Sequence, residues 1–209
     1  MKPLTILILI FLIRLTFSCC NCPEQVASYQ FDQLSIQNLD QTGWTANRTE
    51  YNEMHPAAIA FEITLTDSSF RPPPAIAQAW HPKLSSAMAM QPCECPYHLF
   101  LKHDISNLSI LTLHDFSSEK PAGSDIVDSF VWQFKWNHLY QPIDSLLPEL
   151  NTPFYAKYYI EKTYQLFCTD SVQNDSLQLV FQFQYANGEI LSDTTDVIAI
   201  RISGEEGSL

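Results

Sequence analysis

Imidazole stands beside carboxylate twice in this chain, at His103-Asp104 and His114-Asp115, with Ser106, Ser109 and Ser117 close by. Those residue types could supply a nucleophile, a base and the group that orients the base. A catalytic triad, however, is defined by geometry in space, so a chain rich in all three types says little by itself. No G-x-S-x-G elbow is present. A hydrolase using His103, Asp104, His114 or Asp115 is therefore the second reading, behind the polar ends of strands and turns.

Cysteine chemistry depends on where the chain resides, and the leader addresses that. Lys2 supplies a positive start, Pro3 to Ile13 an apolar run of eleven residues, and Arg14 interrupts it. These are the proportions of a secretory signal, too short to cross a bilayer, which needs about 20 apolar residues. Thr16-Phe-Ser-Cys19 resembles the lipobox of bacterial lipoproteins, in which the cysteine is acylated and becomes the first mature residue. Thr16 replaces the usual leucine and Cys20 competes as the lipid site, so cleavage without lipidation stays open. Several acyl chains on Cys19 would hold a domain at a membrane where one chain binds only marginally.

Export would place the six cysteines, at 19, 20, 22, 93, 95 and 168, where disulfides persist. Cys20-Asn-Cys22-Pro23 echoes Cys93-Glu-Cys95-Pro96. Pairing inside a C-x-C is strained, which favours links from Cys20 or Cys22 to Cys93 or Cys95. Free thiols remain an alternative, and so does a metal held by Cys93, Glu94, Cys95, His98 and His103. That set matches the C-x2–4-C pairs of structural zinc only loosely, and no metal is expected.

Trp132, Phe134 and Trp136 share one face of a strand and read as core sooner than as a sugar-stacking platform. Trp44 and Trp80 have no strand pattern to bury them and are the candidate binding aromatics. The 23 acidic against 11 basic residues give a formal charge of −12, which becomes −14 once Lys2 and Arg14 leave with the leader. That excludes a nucleic-acid footprint. The acidic side chains lack calcium-loop spacing and read as solvated surface. Five glycines, none close to another in a phosphate-cradling pattern, exclude dinucleotide and P-loop motifs. No cofactor is expected.

The elements that must position these residues are strands. Ile59, Phe61, Ile63 and Leu65 alternate with Ala60, Glu62 and Thr64, and Leu177 to Tyr185 alternates again before Asn187-Gly188, a strong hairpin signal. The return strand is read as closing with Ile198, Ile200 and Ile202. Tyr29 and Phe31 have one parity and Leu34 and Ile36 the other, which predicts a bulge near Asp32-Gln33. Further strands are predicted over 97–102, 108–115, 130–136 and 155–167. One short helix is predicted where Leu139, Ile143, Leu146, Leu147 and Leu150 recur at helical spacing between prolines. The sum is a mainly β antiparallel sandwich, Ig-like in general architecture, with a long irregular insertion over 70–92. The expected divisions are a leader at 1–18, lipid attachment and tether at 19–28, one domain at 29–203 and a tail at 204–209.

The leader with Ser-Cys-Cys-Asn-Cys22, the strand ending Ile36-Gln-Asn-Leu-Asp40, Ile105 to Phe116, Pro121 to Ile126 and Phe130 resemble a group of uncharacterised Bacteroidetes-type lipoproteins. Phe181 to Glu189 and Thr194 to Ile198 fit as well. The resemblance implies an exported lipoprotein and implies no catalytic residues. The expected protein is a lipid-anchored component of the bacterial cell envelope at the outer membrane, touching the membrane through its N-terminal lipid. Its role is read as non-catalytic binding of a protein or glycan partner, with a hydrolase or a structural envelope subunit as the alternatives.

Overall fold

The computed structural model describes residues 25–41, 46–48, 52–71, 96–135, 139–156 and 159–201. In chain order the strands are β1 (Gln25–Tyr29), β2 (Gln33–Asp40), β3 (Asn47–Arg48), β4 (Glu53–Met54), β5 (Ile59–Asp67), β6 (Tyr97–Leu101), β7 (Ile105–Thr112) and β8 (Phe130–Phe134). They continue with β9 (Gln141–Pro142), β10 (Phe154–Ala156), β11 (Ile160–Cys168), β12 (Ser176–Leu177), β13 (Leu179–Tyr185), β14 (Ile190–Thr194) and β15 (Ile198–Ile200). Between β9 and β10 a 3-10 turn runs into α1 (Leu146–Asn151), the only α-helix among the described residues.

Six strands form one antiparallel sheet in the order β3-β2-β5-β11-β8-β9. Three smaller sheets, β1-β6-β10, β14-β13-β7 and β12-β15-β4, bury their inner faces in the same core. The sheets do not close into a barrel, and the architecture is a β-sandwich. Two pairings depart from the antiparallel expectation: β1 runs parallel to β6, and β15 parallel to β4. Each joins segments far apart in sequence, so no hairpin dictates their direction.

Period-two alternation makes the core. Phe61, Ile63 and Leu65 of β5 are fully buried, and Phe61 meets Phe181 of β13 at 5.5 Å between ring centroids. The other face of β5 is covered too: Ala60 joins Leu39 and Phe167 in a second small apolar cluster. Beside it, Lys135 Nζ lies 3.1 Å from a carboxylate oxygen of buried Glu62. Gln133 donates a 3.1 Å hydrogen bond to Gln165, which sits opposite Glu62 in the ladder. A buried carboxylate persists because these partners replace its water.

Other expectations are corrected. The parity change after Phe31 is a change of sheet: β1 pairs with β6, whereas β2 pairs with β5. The run 155–167 divides into β10 and β11, which belong to different sheets. The Asn187-Gly188 hairpin returns as β14, and Ile198 and Ile200 lie in β15 beside β4 and β12. In the helical stretch Leu139 is exposed and lies before α1, while Leu146 and Leu150 are buried. Pro148 is the third residue of α1, where its missing N–H would have had no partner in any case. The described domain reaches back to Gln25, inside the stretch read as a tether.

Candidate functional site

On the β1-β6-β10 sheet, alternation sends Ala27, Tyr29, Tyr97, Leu99, Phe154 and Ala156 into or against the core. Val26, Ser28, His98, Phe100 and Tyr155 are left on the other face. Register then aligns Val26, His98 and Tyr155 in one row across β1, β6 and β10, and Ser28 beside Phe100 in the next. The His98 and Tyr155 rings stack at 4.7 Å with 12° between planes, and Phe100 leans on His98 at 4.6 Å. Tyr155 is 63% exposed although one of its faces is covered, so its other face is open to solvent; Val26 is 60% exposed.

A groove of about 700 Å³ adjoins this row, lined by Val26 to Tyr29 of β1, by Gln30 just past it, and by Asp67, Ser69, Phe70, Arg71 and Lys102. Asp67 fixes its shape. One carboxylate oxygen accepts the Gln30 N–H at 3.1 Å and the other accepts the Ser69 N–H at 3.0 Å and the Ser69 hydroxyl at 2.8 Å. Asp32 ties the same loop down by accepting from the Ser68 N–H and hydroxyl, and those bonds hold its carboxyl below the usual carboxylate range. At the rim Glu189 accepts from Asn187 and Gln30 side chains, which keep its carboxyl low as well.

The histidines do not converge. The eight-residue β7 separates His103 from His114, at about 3.3 Å per residue roughly 25 Å or more. Asp115 caps a turn, accepting the Ala122 N–H at 2.8 Å. The Ser106 hydroxyl donates to the Gln184 carbonyl, and that of Ser109 accepts from Asn107. Ser117 and Lys120 stand at S-x-x-K spacing and bridge each other through their main chains. The Lys120 amine turns instead to the Ser129 hydroxyl at 2.5 Å and Asp170 at 2.6 Å, and Ser129 donates to Asp170 at 2.7 Å. With its proton committed to a carboxylate and only 2% of the residue exposed, Ser129 is part of a clamp between segments. Burial pushes the nearby Cys168 thiol up to about 12, far from the thiolate a nucleophile needs.

Trp132 is buried and donates to the Pro142 carbonyl at 3.0 Å and the Ser145 hydroxyl at 2.9 Å, which settles it as core. Trp44, Trp80, Trp136 and the cysteines Cys19, Cys20, Cys22, Cys93 and Cys95 lie outside the described residues. Among the described residues no group of three or more His, Cys, Asp or Glu could hold a metal ion. Sequence reasoning did not single out Val26, Phe100 or Tyr155 for binding, and it weighed His98 only as a metal ligand. The alternation His98, Phe100, Lys102 was visible, but only the packing of the sheet says which face is outward. Comparisons with protein-family models, with curated proteins and with solved structures return no match.

Proposed function

We propose that this chain is an exported, lipid-anchored envelope protein whose sandwich is a non-catalytic binding module, with the Val26–His98–Tyr155 face as its contact surface. The observation that carries this reading is the ring of Tyr155, stacked on His98 yet mostly exposed and in line with an exposed valine. An ordered apolar row in water is costly unless something covers it in use. Lipidation at Cys19 would leave six residues to Gln25, a reach of at most about 21 Å, and so keep this face close to the bilayer.

A photo-crosslinking side chain placed at Tyr155 in the envelope-localised protein tests the surface, with the same probe at exposed Val197 as the reference. The reading expects adducts at position 155 that are absent at 197. Identical patterns, or none at 155, overturn it. Intact mass of the membrane-fraction protein tests the anchor, and an unmodified N-terminus removes it.

A further inference from the structure

We infer that the open edge of β1 takes an extended segment of a polypeptide partner as an added strand, with one acidic side chain of that segment against Arg71 and Lys102. The inference rests on the binding-module reading and adds the chemical class of the partner and the way it is held.

Main-chain pairing carries it. β1 pairs with β6 on one side and with no strand on the other among the described residues. The Lys102 N–H donates to the Tyr29 carbonyl at 2.7 Å, so in this parallel ladder Ala27 and Tyr29 give their main-chain groups to β6, and those of Val26 and Ser28 point away from it. Gln30 is next in that outward set, and there the fold closes the edge itself. A carboxylate oxygen of Asp67 accepts the Gln30 N–H at 3.1 Å, in the place where a neighbouring strand would put a carbonyl. Val26 and Ser28 are left with two N–H and two C=O groups that no described residue satisfies, at a two-residue repeat of about 6.6 Å. An extended main chain carries donor and acceptor at the same repeat, so one pairing satisfies all four. Natural edges discourage such pairing with charges, prolines or bulges, and Gln25–Tyr29 has none of these.

The side chains say what the segment carries. A residue opposite Val26 on the added strand extends the row Val26–His98–Tyr155 by one, and since Val26 is 60% exposed, an apolar or β-branched residue there covers it. The charged side chains lining the groove are Arg71, Lys102 and Asp67. Asp67 has both oxygens occupied, by Gln30 and by Ser69. Arg71 spends Nη1 on the Ser68 and Phe70 carbonyls at 3.1 and 2.9 Å, while its other donors and the Lys102 ammonium bond to no described residue. Two cations thus have donors to spare where the one carboxylate has no acceptor left, which is the complement of an acidic side chain. Asp32, with both oxygens on Ser68, and Glu189, with one oxygen on Gln30 and Asn187 and the other open, lie outside the lining. With the formal charge of −12 they favour a single acidic residue over a polyanion.

Amide hydrogen exchange in the free full chain reads the edge directly: Val26 and Ser28 are expected to exchange about tenfold faster than Ala27 and Tyr29. Protection of Val26 and Ser28 would mean that the edge is already filled, and overturns the inference. Heptapeptides selected from a random library on the full chain then serve as probes. The selection is expected to yield sequences that alternate apolar with polar residues and carry one acidic residue. N-methylation of one alternate set of peptide amides is expected to weaken binding about tenfold, and methylation of the other set to leave it unchanged. Arg71→Gln and Ser28→Pro are each expected to weaken it about tenfold, with the circular dichroism of the fold unchanged. Ser28→Pro removes an N–H that β6 does not use, and the methylated peptides test the same bonds without altering the fold. No selected peptide, equal effects of the two methylated sets, or indifference to Arg71→Gln each overturns the inference. Crosslinks from position 155 to a glycan or a lipid, in a protein that selects no peptide, would end the added strand and leave the binding surface standing. Absence of both would end the two together.

Discussion

Lys162 and Tyr29 show opposite ways of burying a polar side chain. The Lys162 amine reaches from β11 to the open carbonyls at the end of α1, donating to Glu149, Leu150 and Thr152 at 3.1, 2.9 and 3.2 Å, while its charge sits 4.9 Å over the Phe154 ring. The Glu149 carbonyl also accepts the Thr152 N–H at 3.2 Å, and the lysine serves the carbonyls that the helix leaves over at this end, which makes it the C-terminal cap. Lys162→Met keeps the stem and removes the bonds. It is expected to lower stability by about 1–3 kcal/mol in urea unfolding at neutral pH, since hydrogen bonds to a charged group are the stronger kind. The Tyr29 hydroxyl, by contrast, is buried with no hydrogen-bond partner among the described residues. Tyr29→Phe deletes that unsatisfied group while keeping the ring against Phe31 and Phe154. Stability is expected to rise by about 1 kcal/mol, and a loss would show that the hydroxyl is satisfied in solution.

Among the elements, the β13–β14 hairpin shows what a local signal fixes. The Gly188 N–H closes a turn on the Tyr185 carbonyl at 2.9 Å, and Gly188 itself has φ +89°, so the loop spans Ala186 to Gly188. A Cβ at Gly188 meets nothing within 4 Å. Gly188→Ala is therefore expected to cost only the backbone strain, about 1–2 kcal/mol, read as a lower thermal midpoint. That turn and the alternation of β5, β6 and β13 were legible because neighbours in sequence settle them. The change after Phe31 was half legible: a bulge and a change of sheet both shift parity, and only the partner strand tells them apart. The division between β10 and β11 was not legible, because Tyr155 to Phe167 contains neither glycine nor proline. The candidate face was hidden for the same reason, since Tyr155 meets His98 only once β10 pairs with β6.

At the scale of the whole molecule, buried titrating groups shape stability against pH in three ranges. Burial draws the Lys162 amine down to about 8, against the pull of the Glu149 carboxylate. An unfolded lysine titrates near 10.4, so between about 8 and 10 the unfolded chain holds more protons and stability rises with pH. Tyr29, Tyr164 and Tyr185 act in the opposite sense, because burial raises all three phenols well above their ordinary value. Above about 10 the unfolded chain sheds phenolic protons that the native state keeps, and stability falls. On the acid side, Asp32, Asp170 and Glu189 are held low by Ser68, by Lys120 and Ser129, and by Asn187 and Gln30. Their contribution is complete above the ordinary carboxylate range near 4 and is lost as pH falls through the lower native values. Urea midpoints across pH should therefore climb out of acid, level off, climb again to a maximum between about 9 and 10, and then drop. Lys162→Met should erase the second climb and leave the acid limb and the alkaline drop in place. A wild-type profile that is flat from pH 8 to 10 would mean that the three carbonyls at the end of α1 hold the ammonium against desolvation, and that the lysine is a cap without being a titrating one.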